Sequence, residues 1–430
     1  MFLSLLKSRR FAPLFWCQFL SGFNDNFVRN MLAMLILFEI GETRAGALIT
    51  GAVALFILPS IFLSGLGGEI ADAHDKAKIA QRLKCAEIFI QMIAAAGIWL
   101  PSLPLLYAAL FGLGIVAALF NPIKYGLLPE HLAPQELVAG NALVDAATFL
   151  AILLGLIFGG IAAGEVRTPA GVTVQLMAIA LASFATSLAI PATKIAAPDL
   201  RVSANLWGST RDALCEIWRT PFLRAATNAV SWFWLTGAVA LALIPVAVRK
   251  ATHGGLDVEV AVTALFAVGM GVGSLGSALF SRGRIALELA PIGALGMAAF
   301  LIDFAFAQGG STPAIAPTAS DIGLREFFLH AQGLHIAVDV IGIAAAAGVF
   351  VVPVFTALQV EAPRERLART LAGVNILSSI YIVAGSLGAS LLQSLAGATE
   401  SILLAALGAA NVGAAWYVRA RIRVPTASIS

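Results

Sequence analysis

Residues 103–123 read Leu103-Pro-Leu-Leu-Tyr-Ala-Ala-Leu-Phe-Gly-Leu-Gly-Ile-Val-Ala-Ala-Leu-Phe120-Asn-Pro-Ile123, a run without one charged side chain. As a helix it is about 31 Å long, enough to cross a hydrocarbon core of about 30 Å. Pro101 and Pro104 mark its start, and Lys124 follows it directly. Working outward, similar runs recur from end to end. Spans are expected near 11–40, 45–71, 80–100, 103–123, 139–163, 172–193, 222–247, 258–280, 285–306, 333–357, 370–396 and 400–418. Of the 430 residues 59% are hydrophobic and 12% charged. A soluble domain carries about 25% charged residues, so this chain could not cover a water-facing surface. The expected class is an all-α integral membrane protein.

The N-terminus resembles a secretory leader at first sight, with Lys7, Arg9 and Arg10 ahead of an apolar run. The run is too long and has no small-residue cleavage site, so it is read as a retained first span. Cys17, Cys85 and Cys215 have no CxxC or metal-ligand spacing and read as free thiols. No basic stripe with interleaved aromatics supports nucleic-acid binding. There is no P-loop, HExxH or GxSxG motif, so neither catalysis nor a cofactor or metal is expected.

Charge distribution orients the spans. With the N-terminus in the cytoplasm, the loops on that side hold Lys7, Arg9, Arg10, Lys76, Lys78, Arg82, Lys84, Lys194, Arg201, Arg211, Arg219, Arg224, Arg282, Arg284, Arg364, Arg366, Arg369, Arg419, Arg421 and Arg423. The opposite side holds Arg44, Arg167, Arg249, Lys250 and Arg325. That bias is the positive-inside pattern, and an even span count leaves both termini cytoplasmic. The longest cytoplasmic link, 194–221, divides the chain into a six-span half over 1–193 and another over 222–430. Within the link, Leu206, Trp207, Leu214, Ile217 and Trp218 interleave with Arg201, Arg211 and Arg219, as in a short interfacial amphipathic helix. A long, Ala/Pro/Gly/Ser/Thr-rich outer loop is expected over 308–332.

Polar residues inside spans are costly, about 2.5–3.5 kcal/mol for an ionised group at the centre, and so face partners or wet cavities. The first span has the densest set: Gln18, Ser21, Asn24, Asp25, Asn26, Arg29 and Asn30. Gln18, Ser21, Asp25 and Arg29 share a helical face. They read as a stripe that meets a solute headgroup. A purely structural role, an Asp25–Arg29 pair with helix–helix hydrogen bonds, stays open. Asn228 and Asn375 are the second-half candidates for the same cavity.

Gly68 permits close helix approach at the end of span two, and Asp72 can accept hydrogen bonds from a neighbouring helix N-terminus. Both are read as gating residues. Lys124, with Asn141 and Asp145 at the start of span five, forms a candidate inner gate; plain anchoring of Lys124 to anionic lipid is the alternative. Pro122 is expected to end or kink span four. Gly155, Gly159 and Gly160, and Gly269 and Gly273, read as packing devices. His335 and Asp339, spaced i, i+4 near the outer end of span ten, read as a structural pair.

Twelve spans in two halves, with Gly68-Glu-Ile-Ala-Asp72 after the second, resemble the major facilitator superfamily. Phe23-Asn-Asp-Asn26-Phe-Val-Arg29-Asn30, Phe120-Asn-Pro-Ile-Lys-Tyr-Gly126 and Gly140-Asn-Ala-Leu-Val-Asp145, running on through Thr148-Phe-Leu-Ala-Ile-Leu-Leu-Gly155, are similar to the bacterial lysophospholipid transporter family. Ser231-Trp-Phe-Trp234 and Phe266-Ala-Val-Gly-Met-Gly-Val-Gly-Ser274 resemble the form fused to an acyltransferase and an acyl–carrier-protein synthetase. Asp145 departs from that pattern, where a glutamate is usual, and so does Leu243, where a glutamine is.

The resemblance implies a major-facilitator-like bundle of twelve transmembrane helices in two six-helix halves. It implies a monomeric flippase that moves lysophospholipids, chiefly lysophosphatidylethanolamine, across the inner membrane to the cytoplasmic leaflet for reacylation. The partners implied are the lysolipid, membrane lipid and a separate acyltransferase or acyl–carrier-protein synthetase. The residues matched are Asp25, Asn26 and Arg29 in the first motif, and Lys124 and Asn141 in the later ones. Two rival readings remain: an exporter of hydrophobic drugs or metabolites on the same fold, and a non-transporting scaffold for an acyltransferase.

Overall fold

In hydrocarbon no water satisfies backbone N–H and C=O groups, so a spanning chain closes its hydrogen bonds within each segment and becomes helical. The computed structural model describes residues 2–40, 42–164, 169–309 and 322–422. Arg167, Arg423 and most of the expected outer loop lie outside the described residues, as does the side chain of Arg44. The helices are α1 (Phe2–Leu6), α2 (Ala12–Ile40), α3 (Glu42–Ala73), α4 (Lys76–Trp99), α5 (Leu103–His131), α6 (Pro134–Gly164), α7 (Pro169–Leu188), α8 (Leu206–Trp218), α9 (Pro221–Thr252), α10 (Leu256–Ser281), α11 (Leu289–Gly309), α12 (Leu324–Leu329), α13 (Ala331–Glu361), α14 (Leu367–Ala396) and α15 (Glu400–Arg421). Among the described residues the β-structure is one isolated bridge, Gly254 to Ile322.

Twelve of these helices run to 20 residues or more. Ten are also apolar enough to cross a membrane. The two that fall short are α2 and α4. One carries Asp25 and Arg29, and the other Lys84 and Glu87.

Two expectations need correcting. Pro122 does not end span four: α5 continues past it and past Pro129 to His131. A proline removes one ladder bond, and in a packed membrane helix neighbours and local adjustment make up that loss. Lys84 is not a cytoplasmic loop residue. It lies within α4 with no exposed surface.

The chain forms two compact units. The first comprises Met1–Gly140, Leu150–Thr220 and Gln359–Ser379; the second comprises Asn141–Phe149, Pro221–Leu358 and Ile380–Ser430. In the first unit the core gathers Phe27, Met31, Leu32 and Ile36 of α2 with Ile98 of α4, Leu110 and Leu113 of α5 and Leu176 of α7. Asp75 caps α4 by accepting from Ala77 N at 3.0 Å, and also accepts from Thr193 N at 3.0 Å. The interfacial segment expected in the link is α8, with Asn205 as its N-cap. Its small and polar face packs inward: Thr210 Oγ1 donates to Phe62 O at 3.1 Å, and Ala213 is buried beside Ala372 and Ile376. Trp207 and Trp218 face outward.

In the second unit Phe149, Phe233, Trp234 and Phe266 form an aromatic cluster, with Phe149 stacked on Trp234 at 6.3 Å between ring centroids. Within the sequence motif 231–234, Ser231 and Phe233 are buried, while Trp232 and Trp234 keep some surface. Gly269 and Gly273 of α10 sit against the backbone of Ile341 and Ala345 in α13.

Gly155 of α6 is the matching device in the first unit. A Cβ there would lie 2.6 Å from Asn26 Cβ and 2.7 Å from Phe23 O. Gly164, on the same helix, has nothing within 4 Å. Gly155→Ala is therefore expected to cost about 1–3 kcal/mol through overpacking. Gly164→Ala should be neutral, or gain up to about 1 kcal/mol from helix propensity. Thermal unfolding of both variants in detergent checks this; equal melting would remove the close-approach role of Gly155.

Candidate functional site

The polar residues of α2 meet those of α4 in the first unit. Glu87 is the hub. Its Oε2 accepts from Lys84 Nζ at 2.7 Å and from Ser21 Oγ at 3.3 Å, and its Oε1 accepts from Asn24 Nδ2 at 3.2 Å. Lys84 Nζ also donates to Ser21 Oγ at 2.5 Å and lies 4.1 Å from the centroid of Phe120. Ser21, Asn24, Lys84 and Glu87 are all buried. Taking two charges from water costs several kcal/mol each, and only close geometry with further hydrogen bonds repays that. Here the ammonium has a carboxylate, a hydroxyl and an aromatic face, so the pair is well compensated.

Lys84 and Glu87 are functional candidates that the sequence reading missed. In sequence Lys84 reads with Lys76, Lys78 and Arg82 as a basic loop. The signal was nevertheless present: Lys84, Glu87 and Gln91 recur at i, i+3 and i+7, and all three are buried, while Lys78 and Arg82 are exposed. Gln91 and Asn24 keep side-chain atoms without a hydrogen-bond partner: both polar atoms of Gln91, and Oδ1 of Asn24.

Asp25 and Arg29, one turn apart on α2, are only partly buried. Arg29 donates to Asn26 Oδ1 and its guanidinium lies 5.8 Å from the Phe56 centroid. Asn26 in turn donates to Gly22 O at 2.7 Å. Gln18 is buried on the same helix. The structure thus groups Gln18, Asn24, Asp25, Asn26 and Arg29 on α2, with the Lys84–Glu87 pair behind Asn24.

The second-half candidates belong to different units. Asn228 belongs to the second unit, where it accepts from Tyr381 Oη at 2.9 Å and donates to Arg224 O at 2.9 Å. Asn375 belongs to the first, where it donates to Ser64 Oγ at 2.7 Å and accepts from Asn121 Nδ2 at 3.4 Å.

The residues expected to gate also divide. Asp72 is fully buried at the N-terminus of α14, accepting from Ala368 N at 3.1 Å, Arg369 N at 3.3 Å and Arg369 Nε at 3.0 Å. Free N–H groups and the positive end of the helix dipole suit a carboxylate there. Gly68 lets α3 approach: a Cβ would lie 2.8 Å from Ala368 O. Asn141 is buried in the second unit and donates to Thr356 Oγ1 at 3.0 Å. Lys124 Nζ lies 4.8 Å from the Tyr125 centroid in the first unit. Asp145 belongs to the second unit.

Residues 14–386 match the model of the Major Facilitator Superfamily, and the chain belongs to that superfamily: it is a multi-pass membrane transporter and not an enzyme. It is 28% identical over 298 residues to the lysophospholipid transporter LplT of Yersinia pestis (strain Pestoides F), a match covering 67% of this chain and 69% of that one. The protein of the same name from Yersinia pseudotuberculosis serotype O:3 (strain YPIII) matches to the same extent. Among solved structures, the human organic anion transporter MFSD10 (TETRAN) superposes with a TM-score of 0.73 at 12% identity, covering 95% of this chain and 99% of that one. FucP in its outward conformation gives a TM-score of 0.71 at 12% identity, over 96% and 99%. At those identities the likeness is one of fold alone.

Removing the Glu87 charge deprives the buried Lys84 of its hydrogen-bonded counterion. Glu87→Gln is expected to destabilise the protein by about 3–5 kcal/mol, and the double variant Lys84→Met/Glu87→Met to recover most of that. Thermal melting of the three proteins in detergent checks this; a single variant as stable as wild type would remove the pair from the stabilising interactions.

Proposed function

We propose that the protein moves lysophospholipids, lysophosphatidylethanolamine foremost, across the bacterial inner membrane to the cytoplasmic leaflet for reacylation. The observation that carries this reading is that Asp25 and Arg29, one turn apart on α2, keep some surface while the polar groups beside them, Asn24, Asn26, Lys84 and Glu87, are buried. A lysolipid has one acyl chain and a charged head. A zwitterionic head offers an ammonium to Asp25 and a phosphate to Arg29, and guanidinium groups suit phosphate through their planar fork. Gln18, Asn24 and Asn26 extend the polar patch along the same helix. The Yersinia relatives named as lysophospholipid transporters support the substrate class.

In this reading transport runs by alternating access. The bonds of Asp72 to the N-terminus of α14, with Gly68 beside them, break and reform between states. Asn141, Lys124 and Asp145 gate alongside them, and Asn228 and Asn375 contribute to the solute path. The two six-span halves over 1–193 and 222–430 rock about the link 194–221, with both termini cytoplasmic. The protein acts as a monomer, and a separate acyltransferase consumes the product.

The test is uptake of labelled lysophosphatidylethanolamine into proteoliposomes. A hydrogen bond to a charged group contributes about 1.5–3 kcal/mol, so Asp25→Asn and Arg29→Gln should each lower uptake about ten- to hundredfold. Wild type that moves no lysolipid above empty liposomes would sink the substrate assignment. Uptake unchanged in both variants would sink the headgroup site alone.

A further inference from the structure

Outside the α2–α4 network the second unit holds another cluster of charged groups. His335 and Asp339 lie one turn apart near the start of α13, and Asp303 reaches them from α11. His335 Nε2 is 3.0 Å from Asp303 Oδ2 and 3.6 Å from Asp339 Oδ2. One ligand atom from each residue lies within 4.8 Å of the others. Asp339 is 1% exposed, and neither of its carboxylate oxygens makes a hydrogen bond.

A buried carboxylate left without hydrogen bonds is costly. His335 alone cannot remove that cost. One ring nitrogen faces both carboxylates, and its single hydrogen can serve only one of them well, which the 3.0 Å separation assigns to Asp303. A cation shared by all three side chains removes the conflict. First-row ions hold nitrogen and oxygen ligands at about 2.0–2.2 Å, so neighbouring ligand atoms sit about 3.0–3.5 Å apart around them. The His335–Asp303 separation of 3.0 Å already has that spacing, the His335–Asp339 separation of 3.6 Å is slightly longer, and an ion would draw the three ligand atoms, now within 4.8 Å of one another, together. Two carboxylates would balance the charge of a divalent ion, and imidazole selects transition ions over Mg2+ and Ca2+, which prefer all-oxygen shells.

We propose that Asp303, His335 and Asp339 form a binding site for a divalent first-row transition ion, Zn2+ or Mn2+, that ties α11 to α13. Two ligands come from one helical face at i, i+4 and the third from the neighbouring helix. Binding therefore cross-links the two helices near one end of the second unit. The half-exposed side chains of Asp303 and His335 give an ion access from outside the protein. Three protein ligands leave the remaining coordination positions to water.

The experiment titrates full-length protein, purified in detergent without a polyhistidine tag, with Zn2+, Mn2+ and Ca2+ separately in a calorimeter. Melting temperature is followed in parallel. One ion should bind per wild-type chain and raise the melting temperature, since a ligand of the folded state stabilises it. Asp339→Asn and His335→Gln should each weaken binding by at least about tenfold, the smaller loss found even for outer-shell changes, and should abolish the metal-dependent rise. Asp303→Asn, at an exposed position, should do the same and keeps the test decisive if Asp339→Asn fails to fold. No saturable binding by wild type would overturn the proposal. So would unchanged affinity in the variants, or binding of Ca2+ in preference to both transition ions.

Discussion

The constraint on which everything else rests is the absence of water in the hydrocarbon core. It obliges the backbone to bond within each segment, so the spanning chain is helical. It also withdraws the hydrophobic effect as a force between helices, because lipid tails are as apolar as leucine. Helix contact must then come from close packing and from polar groups that find each other. Both means are visible here. Gly155 against Phe23 and Asn26, and Gly269 and Gly273 against α13, bring backbones together. The Lys84–Glu87 pair, with Ser21 and Asn24, joins α4 to α2.

The same polar groups explain why α2 and α4 are the two long helices that fall short of the apolarity needed to cross a membrane. A helix that contributes charge to an internal site cannot also be uniformly greasy. The division of roles follows from exposure. Lys84 and Glu87 are sealed and matched, so they fix the position of Asn24. Asp25 and Arg29 keep some surface.

Two helix ends carry a different kind of polar contact. Asp72 sits where the first N–H groups of α14 have no intrahelical partner, and it satisfies them together with Arg369. Such a contact lies at a terminus, not between helix flanks, so it can be broken without unwinding either helix. The contrast with the buried Lys84–Glu87 pair is one of cost: separating that pair would leave an ion uncompensated in a dry interior.

Sequence alone determined the helical membrane class, the long apolar segments and the concentration of polar residues in the first span, Gln18, Ser21, Asn24, Asp25, Asn26, Arg29 and Asn30. Hydropathy and the price of buried charge are local properties, readable one segment at a time. It also marked Asp72 and Gly68, because a carboxylate and a glycine at a span end stand out against apolar neighbours. Tertiary structure decided which of these residues meet. It turned Lys84 from a loop cation into a buried partner of Glu87, set Asn228 and Asn375 in separate units, and brought Asp303 to His335 and Asp339. Those outcomes depend on which face each helix turns to its neighbour and on how closely glycines let the backbones approach. Both are fixed by packing between segments far apart in the chain, and no single segment records them.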